Sequence, residues 1–319
     1  MQNPLARGQR VGPIVVATCI ALLAWSAALG CARSAESGQS GEGNTGDRIR
    51  KSGTVRFGYR ADARPFSYRD DGGKPGGYAV DLCKGVADAM KAQWSLPNLK
   101  IEWVPVSLDE RFTALAQHKI DLLCGAESAT LERRKQVNFS MPVFPGGIGV
   151  AIRKDAPSPL KDVLTGNTTS DARGVRAALA VLRAQTFGAV PGTTARQWLS
   201  QPHDELKVDA KIVDAPNYAD GLKSVVDRRS NGFFGDRAIL LDAVVHDSAF
   251  HDLAVVDRLF TLEPVALALP RGDDDFRLLV DQALGQRLRT ADFWPGYIKW
   301  FGKPDPTDLL FFGWTGLPN

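Results

Sequence analysis

Residues 120–140 read IDLLCGAESATLERRKQVNFS. The first five, 120–124, have the short apolar character of a buried strand, and they run into Gly125 and a turn that carries Ser128 and Arg133. A hydroxyl and a planar two-pronged guanidinium just past a strand end can hold a carboxylate bidentately. The same residues also read as a surface turn with Glu132 and Arg133 in solvent. Working outward, further candidate strands fall at 54–59, 100–105, 147–153, 186–190, 210–213, 232–234, 254–256 and 265–269. Helical periodicity lies between them at 79–93, 110–117, 193–200, 218–228, 236–246 and 273–289. Strands alternating with helices predict an α/β fold with largely parallel sheets covered on both faces. Nine short strands exceed what one such sheet ordinarily needs, so two sheets are expected, hence two lobes with a cleft between them. Residues 160–174, with several Thr, Asn and Gly and weak periodicity, read as a loop or insertion.

The 319-residue chain is 44% hydrophobic and 24% charged, which is ordinary for a globular protein and excludes wholesale disorder, collagen and coiled coil. Its formal charge of +3 includes Arg7 and Arg10. Without the first thirty residues, which hold no acid, the body is nearly neutral. Such a body has no general attraction for nucleic acid or acidic membranes, and no basic run with interleaved aromatics occurs.

The two arginines precede an uncharged apolar stretch, residues 11–30, VGPIVVATCIALLAWSAALG. A basic start, an apolar run and small residues before a cut form the layout of a secretory signal, so residues 1–30 are expected to export the body. A retained membrane anchor is the alternative, and it too places the body outside. Ala28-Leu29-Gly30-Cys31 resembles a bacterial lipobox, with Cys31 as the lipidated residue and Ala28 where leucine is usual. An ordinary cut nearby, releasing a soluble protein, is the alternative. The Ser/Gly-rich stretch that follows, residues 31–47, reads as a flexible tether.

Metal chemistry is not indicated: His118, His203, His246 and His251 show no ligand spacing, and there is no CxxC. Phosphate-loop, dinucleotide and nucleophile-elbow glycine patterns are absent, so no cofactor is implied. Two further constellations stand out. Pro191-Gly192-Thr193-Thr194 joins a strand to a helix, where free backbone N–H groups and a hydroxyl either bind an anion or merely cap the helix. Asp236, between the strand at 232–234 and the next helix, either holds an ammonium group or caps that helix.

Four segments in this order resemble the bacterial extracellular solute-binding proteins of family 3, the polar amino-acid receptors of ABC importers. They are GYAVDL at 77–82, the stretch from 120 to 140, PGTT at 191–194 and YIKWFG at 297–302. The resemblance spans residues 50–303, and Ala79 stands where the family usually has an acid. It implies a two-lobed periplasmic binding protein-like fold of type II, with two mixed sheets joined by a two-stranded hinge. Lobe 1 would be residues 48–145 and 264–303, lobe 2 residues 146–263, and residues 304–319 a C-terminal tail; its apolar cluster at 309–314 is unusual for a free tail and is expected to pack on lobe 1, with a partner contact as the other reading. Carried over position by position, Arg133 would clamp an α-carboxylate, helped by Ser128 and the backbone near Ala126. Thr193 would bind the same group from the other lobe, and Asp236 would take the α-ammonium. Arg60 falls where members place a side-chain-selecting residue, and an arginine there resembles glutamate/aspartate binders; pointing to solvent is its alternative. Ala63 and Leu108 fall where some relatives have an aromatic clamp.

The resemblance further implies a monomeric, periplasmic, non-enzymatic receptor for an acidic or other polar amino acid, partnered by a membrane ABC permease; the lipobox-like stretch adds a lipid anchor at Cys31 as an expectation beside release as a soluble protein. A cyclohexadienyl dehydratase-like enzyme and a ligand-sensing module for a separate signalling protein are the alternatives. In an exported protein the two body cysteines, Cys83 and Cys124, are expected to pair, since the fold would bring those element ends together; two buried thiols are the other reading.

Overall fold

The computed structural model describes residues 44–169, 171–201 and 210–316. The export segment, Cys31 and most of the tether lie outside the described residues. The tether ends earlier than expected. Residues 45–47 form the first turn of helix α1 (Thr45–Ser52), because Asn44 accepts the Asp47 N–H at 2.8 Å and Gly53, at φ 64°, closes the other end. The Thr45 N–H donates to Asp273 at 2.6 Å, so the chain is fastened to the body from its first described turn.

After α1 come β1 (Thr54–Tyr59), the short strands β2 (Asp62–Ala63), β3 (Ser67–Arg69) and β4 (Pro75–Gly76), then α2 (Tyr78–Gln93), β5 (Lys100–Pro105), α3 (Arg111–Ala116), β6 (Leu122–Ser128) and β7 (Asn138–Gly146). The chain then crosses to β8 (Ile148–Arg153), α4 (Ser158–Thr165), α5 (Ala172–Arg183), β9 (Thr186–Ala189), α6 (Thr194–Ser200), β10 (Lys211–Asp214), α7 (Tyr218–Val226), β11 (Gly232–Asp236), α8 (Arg237–His246) and β12 (Leu253–Val255). It returns through β13 (Glu263–Leu269), α9 (Asp274–Leu288), α10 (Phe293–Phe301) and α11 (Pro306–Thr315).

Two five-stranded mixed sheets result, in the orders β5-β1-β6-β13-β7 and β10-β9-β11-β8-β12. Each joins a parallel triple to two further strands through antiparallel pairings. The strands β2, β3 and β4 form a separate antiparallel ribbon. This is the α/β, two-lobed arrangement that the alternation of elements predicts, and the type II form that the family resemblance implies. Both faces of the first sheet are covered, which explains the apolar run Leu122-Leu123-Cys124 that opens β6. Leu122 and Cys124 pack with Cys83, Val86 and Met90 of α2, whereas Leu123 faces Phe112, Leu115 and Phe139. Cys83 and Cys124 are bonded across that first interface, with Cα atoms 6.2 Å apart.

The two chain crossings lie against each other. Gly147 links β7 to β8, and a Cβ there would sit 2.1 Å from the Thr261 carbonyl oxygen, so only glycine permits the approach. The Ile148 N–H donates to Thr261 Oγ1 at 3.0 Å across the same junction.

Two expectations are corrected. Residues 160–174 do not form a loop: they contribute to α4 and α5. Pro159 sits in the first turn of α4, Gly166 ends it at φ 83°, and Asp171 accepts the Gly174 N–H at 2.7 Å to start α5. The polar residues between are the connector. Residues 306–315, read as tail, form α11, closed by a reciprocal capping box of Asp305 and Asp308. Of the apolar cluster, Phe312 is buried against Phe293, Trp294 and Tyr297 of α10, while Leu309, Leu310 and Trp314 are exposed.

Candidate functional site

The C-terminal ends of parallel strands in open α/β sheets leave backbone groups and following loops facing a common crevice. Here β1 leads to Arg60, β6 to Ser128 and Arg133, β9 to the 190–193 turn, and β11 ends on Asp236. The structure brings all six residues singled out from sequence, Arg60, Ala126, Ser128, Arg133, Thr193 and Asp236, into the wall of one narrow cleft. Arg111, Glu127, Thr194 and Tyr218 complete its polar lining.

One wall is rich in guanidinium groups. Arg133 does not lie in solvent: its side chain is 13% exposed, and it donates to the Ser128 carbonyl at 3.0 Å and to the Gly192 carbonyl of the facing lobe at 3.4 Å. Glu132 is exposed and pairs with Lys135, which is the surface-turn reading applied to the neighbouring residue. Arg60 is 4% exposed, so the solvent alternative fails; its guanidinium pairs with Asp62 at 2.9 Å. Arg111 is buried, donates to Glu127 at 2.8 Å and also to the Leu108 carbonyl, and lies over the Phe112 ring. Burial pushes the Glu127 carboxyl up, but Arg111, Arg133 and Arg60 together outweigh it and hold the group below the usual carboxylate range.

The facing wall carries the opposite charge. Asp236 caps α8, accepting the Ala238 N–H at 2.9 Å and the Ile239 N–H at 3.3 Å, so the capping reading holds. It also lines the cleft, half-buried, and among the described residues no cation lies within ion-pair distance of it. Burial pushes its carboxyl up to about 7, with Glu263 adding to the effect and the two capping N–H groups opposing it. The Asp236 N–H donates to the Tyr218 hydroxyl at 3.1 Å, which fixes the ring in the floor; burial raises that phenol to about 12. Thr193 likewise serves its own helix: its hydroxyl donates to the Val190 carbonyl at 2.6 Å and accepts the Arg196 N–H at 3.2 Å. Thr194 donates to Glu263 at 2.8 Å.

Arg111, Glu127 and Tyr218 were not anticipated. Glu127 lay inside the quoted motif, and its place between Ala126 and Ser128 was the available signal; Arg111 fell only within the helical periodicity at 110–117. Leu108 lines the cleft and Ala63 is buried in the core, so neither position offers an aromatic ring. Among the described residues no cluster of three His, Cys, Asp or Glu could hold a metal ion, and no helix is long and apolar enough to cross a membrane.

Known proteins resemble this chain in sequence and in fold. The sequence profile of the bacterial extracellular solute-binding proteins, family 3, matches residues 55–303. The chain is 26% identical over 294 residues to the glutamate/aspartate import solute-binding protein of Escherichia coli K12, spanning 92% of this chain and 90% of that protein. It is also 26% identical over 276 residues to the Salmonella typhimurium protein of the same name, spanning 86% and 85%. Among solved structures it is similar to the ancestral amino acid-binding protein AncCDT-1, a precursor of cyclohexadienyl dehydratase. That likeness has a TM-score of 0.66 and 27% identity over 81% of this chain and all of that one.

Proposed function

The chain belongs to the bacterial extracellular solute-binding proteins of family 3, and we propose that it is the extracytoplasmic substrate-binding component of an ABC importer for an acidic, glutamate- or aspartate-like amino acid. The observation that carries this reading is one cleft with Arg60, Arg111 and Arg133 on one wall and an unpaired Asp236 on the other. Burying a zwitterion without fixed countercharges is prohibitive, and this cleft supplies both signs. Arg133, with Ser128 and the backbone at Ala126, takes the α-carboxylate; Thr193 and the start of α6 approach it from the facing lobe. Asp236 takes the α-ammonium. Arg60, with Arg111 beside it, receives the side-chain carboxylate, in keeping with the names of the two bacterial relatives.

Contacts from both lobes favour the closed form, so ligand binding shifts an open–closed equilibrium that a membrane permease reads. Residues 1–30 export the chain, Cys31 carries the lipid, and the mature receptor acts as a monomer without cofactor. Thermal-shift and titration calorimetry across the twenty amino acids test the reading. Stabilisation by glutamate or aspartate is expected, because a ligand bound only by the folded state raises its melting temperature. Stabilisation by no amino acid would overturn it, and stabilisation by arginine but not glutamate would overturn the acidic assignment alone. The kinship with a dehydratase precursor gives the enzymatic alternative a direct check, for which no turnover of prephenate or arogenate is expected.

A further inference from the structure

Glu127 is the part of the cleft that the proposed ligand contacts leave unexplained. It lies on β6 between Ala126 and Ser128, is 1% exposed, and pairs across the sheet with Ala266 of β13, so its backbone cannot shift independently. One carboxylate oxygen, Oε2, accepts from Arg111 Nε at 2.8 Å and lies 3.8 Å from Arg133 Nη1. The other, Oε1, is fully buried and has no hydrogen-bond partner. A buried acceptor left unpaired is costly, and native sites that keep one commonly satisfy it with a ligand or ordered water.

Two consequences follow for a molecule in the cleft. Glu127 is a built-in anion among the three guanidinium groups, and Asp62 already neutralises Arg60 from outside. A second ligand carboxylate therefore meets a cluster whose positive charge is partly spent. A neutral amide at the end of the ligand side chain does not meet that repulsion. We propose that Glu127 is the specificity-determining residue of this cleft, setting the balance between a side-chain carboxylate and the matching side-chain amide by weakening the acid relative to the amide. The inference rests on the amino-acid reading of the cleft given above.

The size of the effect follows from Coulomb's law. A like charge within about 6 Å at an effective dielectric near 20 changes binding by roughly a hundredfold, and partial screening leaves at least about tenfold. The test is titration calorimetry with glutamate and glutamine on the wild-type protein, E127Q and E127S. E127Q retains an oxygen for Arg111 and removes only the charge, while E127S removes both. The ratio of glutamate to glutamine affinity should rise at least about tenfold in each variant that folds by circular dichroism. Aspartate and asparagine should follow the same direction. Equal losses for acid and amide would show that Glu127 only positions Arg111, and would overturn the proposal; so would a shift towards the amide. A wild-type protein that binds neither acid nor amide would instead remove the ligand assignment on which the proposal stands.

Discussion

Replacing Asp236 by asparagine separates the two tasks of its carboxylate. Asparagine keeps an oxygen for the N–H groups of Ala238 and Ile239, so the cap on α8 survives while the charge disappears. Burial holds this carboxyl at about 7 rather than 3.8. At about 1.4 kcal/mol per pH unit, that difference sets a ceiling near about 4 kcal/mol on the cost of ionising it in the empty cleft. The group is half-buried and partly solvated, so about 2 kcal/mol is the working figure. A raised carboxyl binds its proton more tightly in the folded than in the unfolded chain. Its stabilising contribution is complete below about pH 4 and is lost as pH rises through about 7. The ligand-free wild type should lose that increment over this range, and D236N should not. Scanning calorimetry should then show D236N melting about 4 °C above wild type at about pH 8, with a smaller gain at about pH 5. Binding should go the other way. The ligand ammonium loses its partner at a cost of about 2–5 kcal/mol, and wild-type affinity for glutamate should rise up to about tenfold per pH unit on approaching 7, then level off. An affinity that is flat across that range and unchanged in D236N would reduce Asp236 to a helix cap and refute the ammonium assignment.

The carboxylate clamp is tested by Arg133→Ala, which should weaken glutamate by about 2–5 kcal/mol in titration calorimetry; equal affinity would sink the assignment. Reducing the Cys83–Cys124 bond, or replacing both by serine, frees a sequence separation of 41 residues and should cost about 4 kcal/mol by denaturant titration, while a loss below about 1 kcal/mol would count against it. Arg64 of the first lobe pairs at 2.8 Å with Asp242 on α8 of the second, where the carboxylate is buried and the arginine also lies over Tyr68 and Trp300. Arg64→Ala should therefore favour the open form and speed ligand release several-fold in stopped-flow fluorescence, about 1 kcal/mol for a pair this exposed. Unchanged release would show that the pair does not resist opening. Metabolic labelling with a radioactive fatty acid should mark the wild type and leave Cys31→Ala unlabelled; equal labelling would remove Cys31 as the lipid site.

What the sequence made legible was the alternation of elements and the residues at strand ends. Arg60, Arg133, Thr193 and Asp236 each follow a strand closely, so placing the strands also placed the cleft. Arg111 and Glu127 were hidden for a physical reason. Arg111 sits at the start of a helix whose apolar face gives no hint that its guanidinium turns inward, and Glu127 occupies a strand position where alternation alone predicts neither solvent nor core. Their pairing emerges only when α3 is laid beside β6. Residues 160–174 failed differently, because a Thr/Asn/Gly connector was weighed as a whole when Gly166 and Asp171 marked the end of one helix and the start of another. At 45–47 the low-complexity composition outweighed the capping signals of Asn44 and Gly53.

The order of strands in the first sheet bears on how the chain reaches this state. β13, made of residues near the end of the chain, lies between β6 and β7, and the whole second lobe separates it from them in sequence. While the chain is emerging from its N-terminus, β6 and β7 have no strand to join them, and their edges stay unpaired until residue 269 is available. The second sheet needs nothing after β12 and can close first. Contacts so distant in sequence form slowly and leave edges open to mispairing. A receptor built this way completes the sheet behind its arginine wall only at the end of folding, so a chain truncated before β13 would have a complete second lobe with Thr193 and Asp236 but no finished wall to face them.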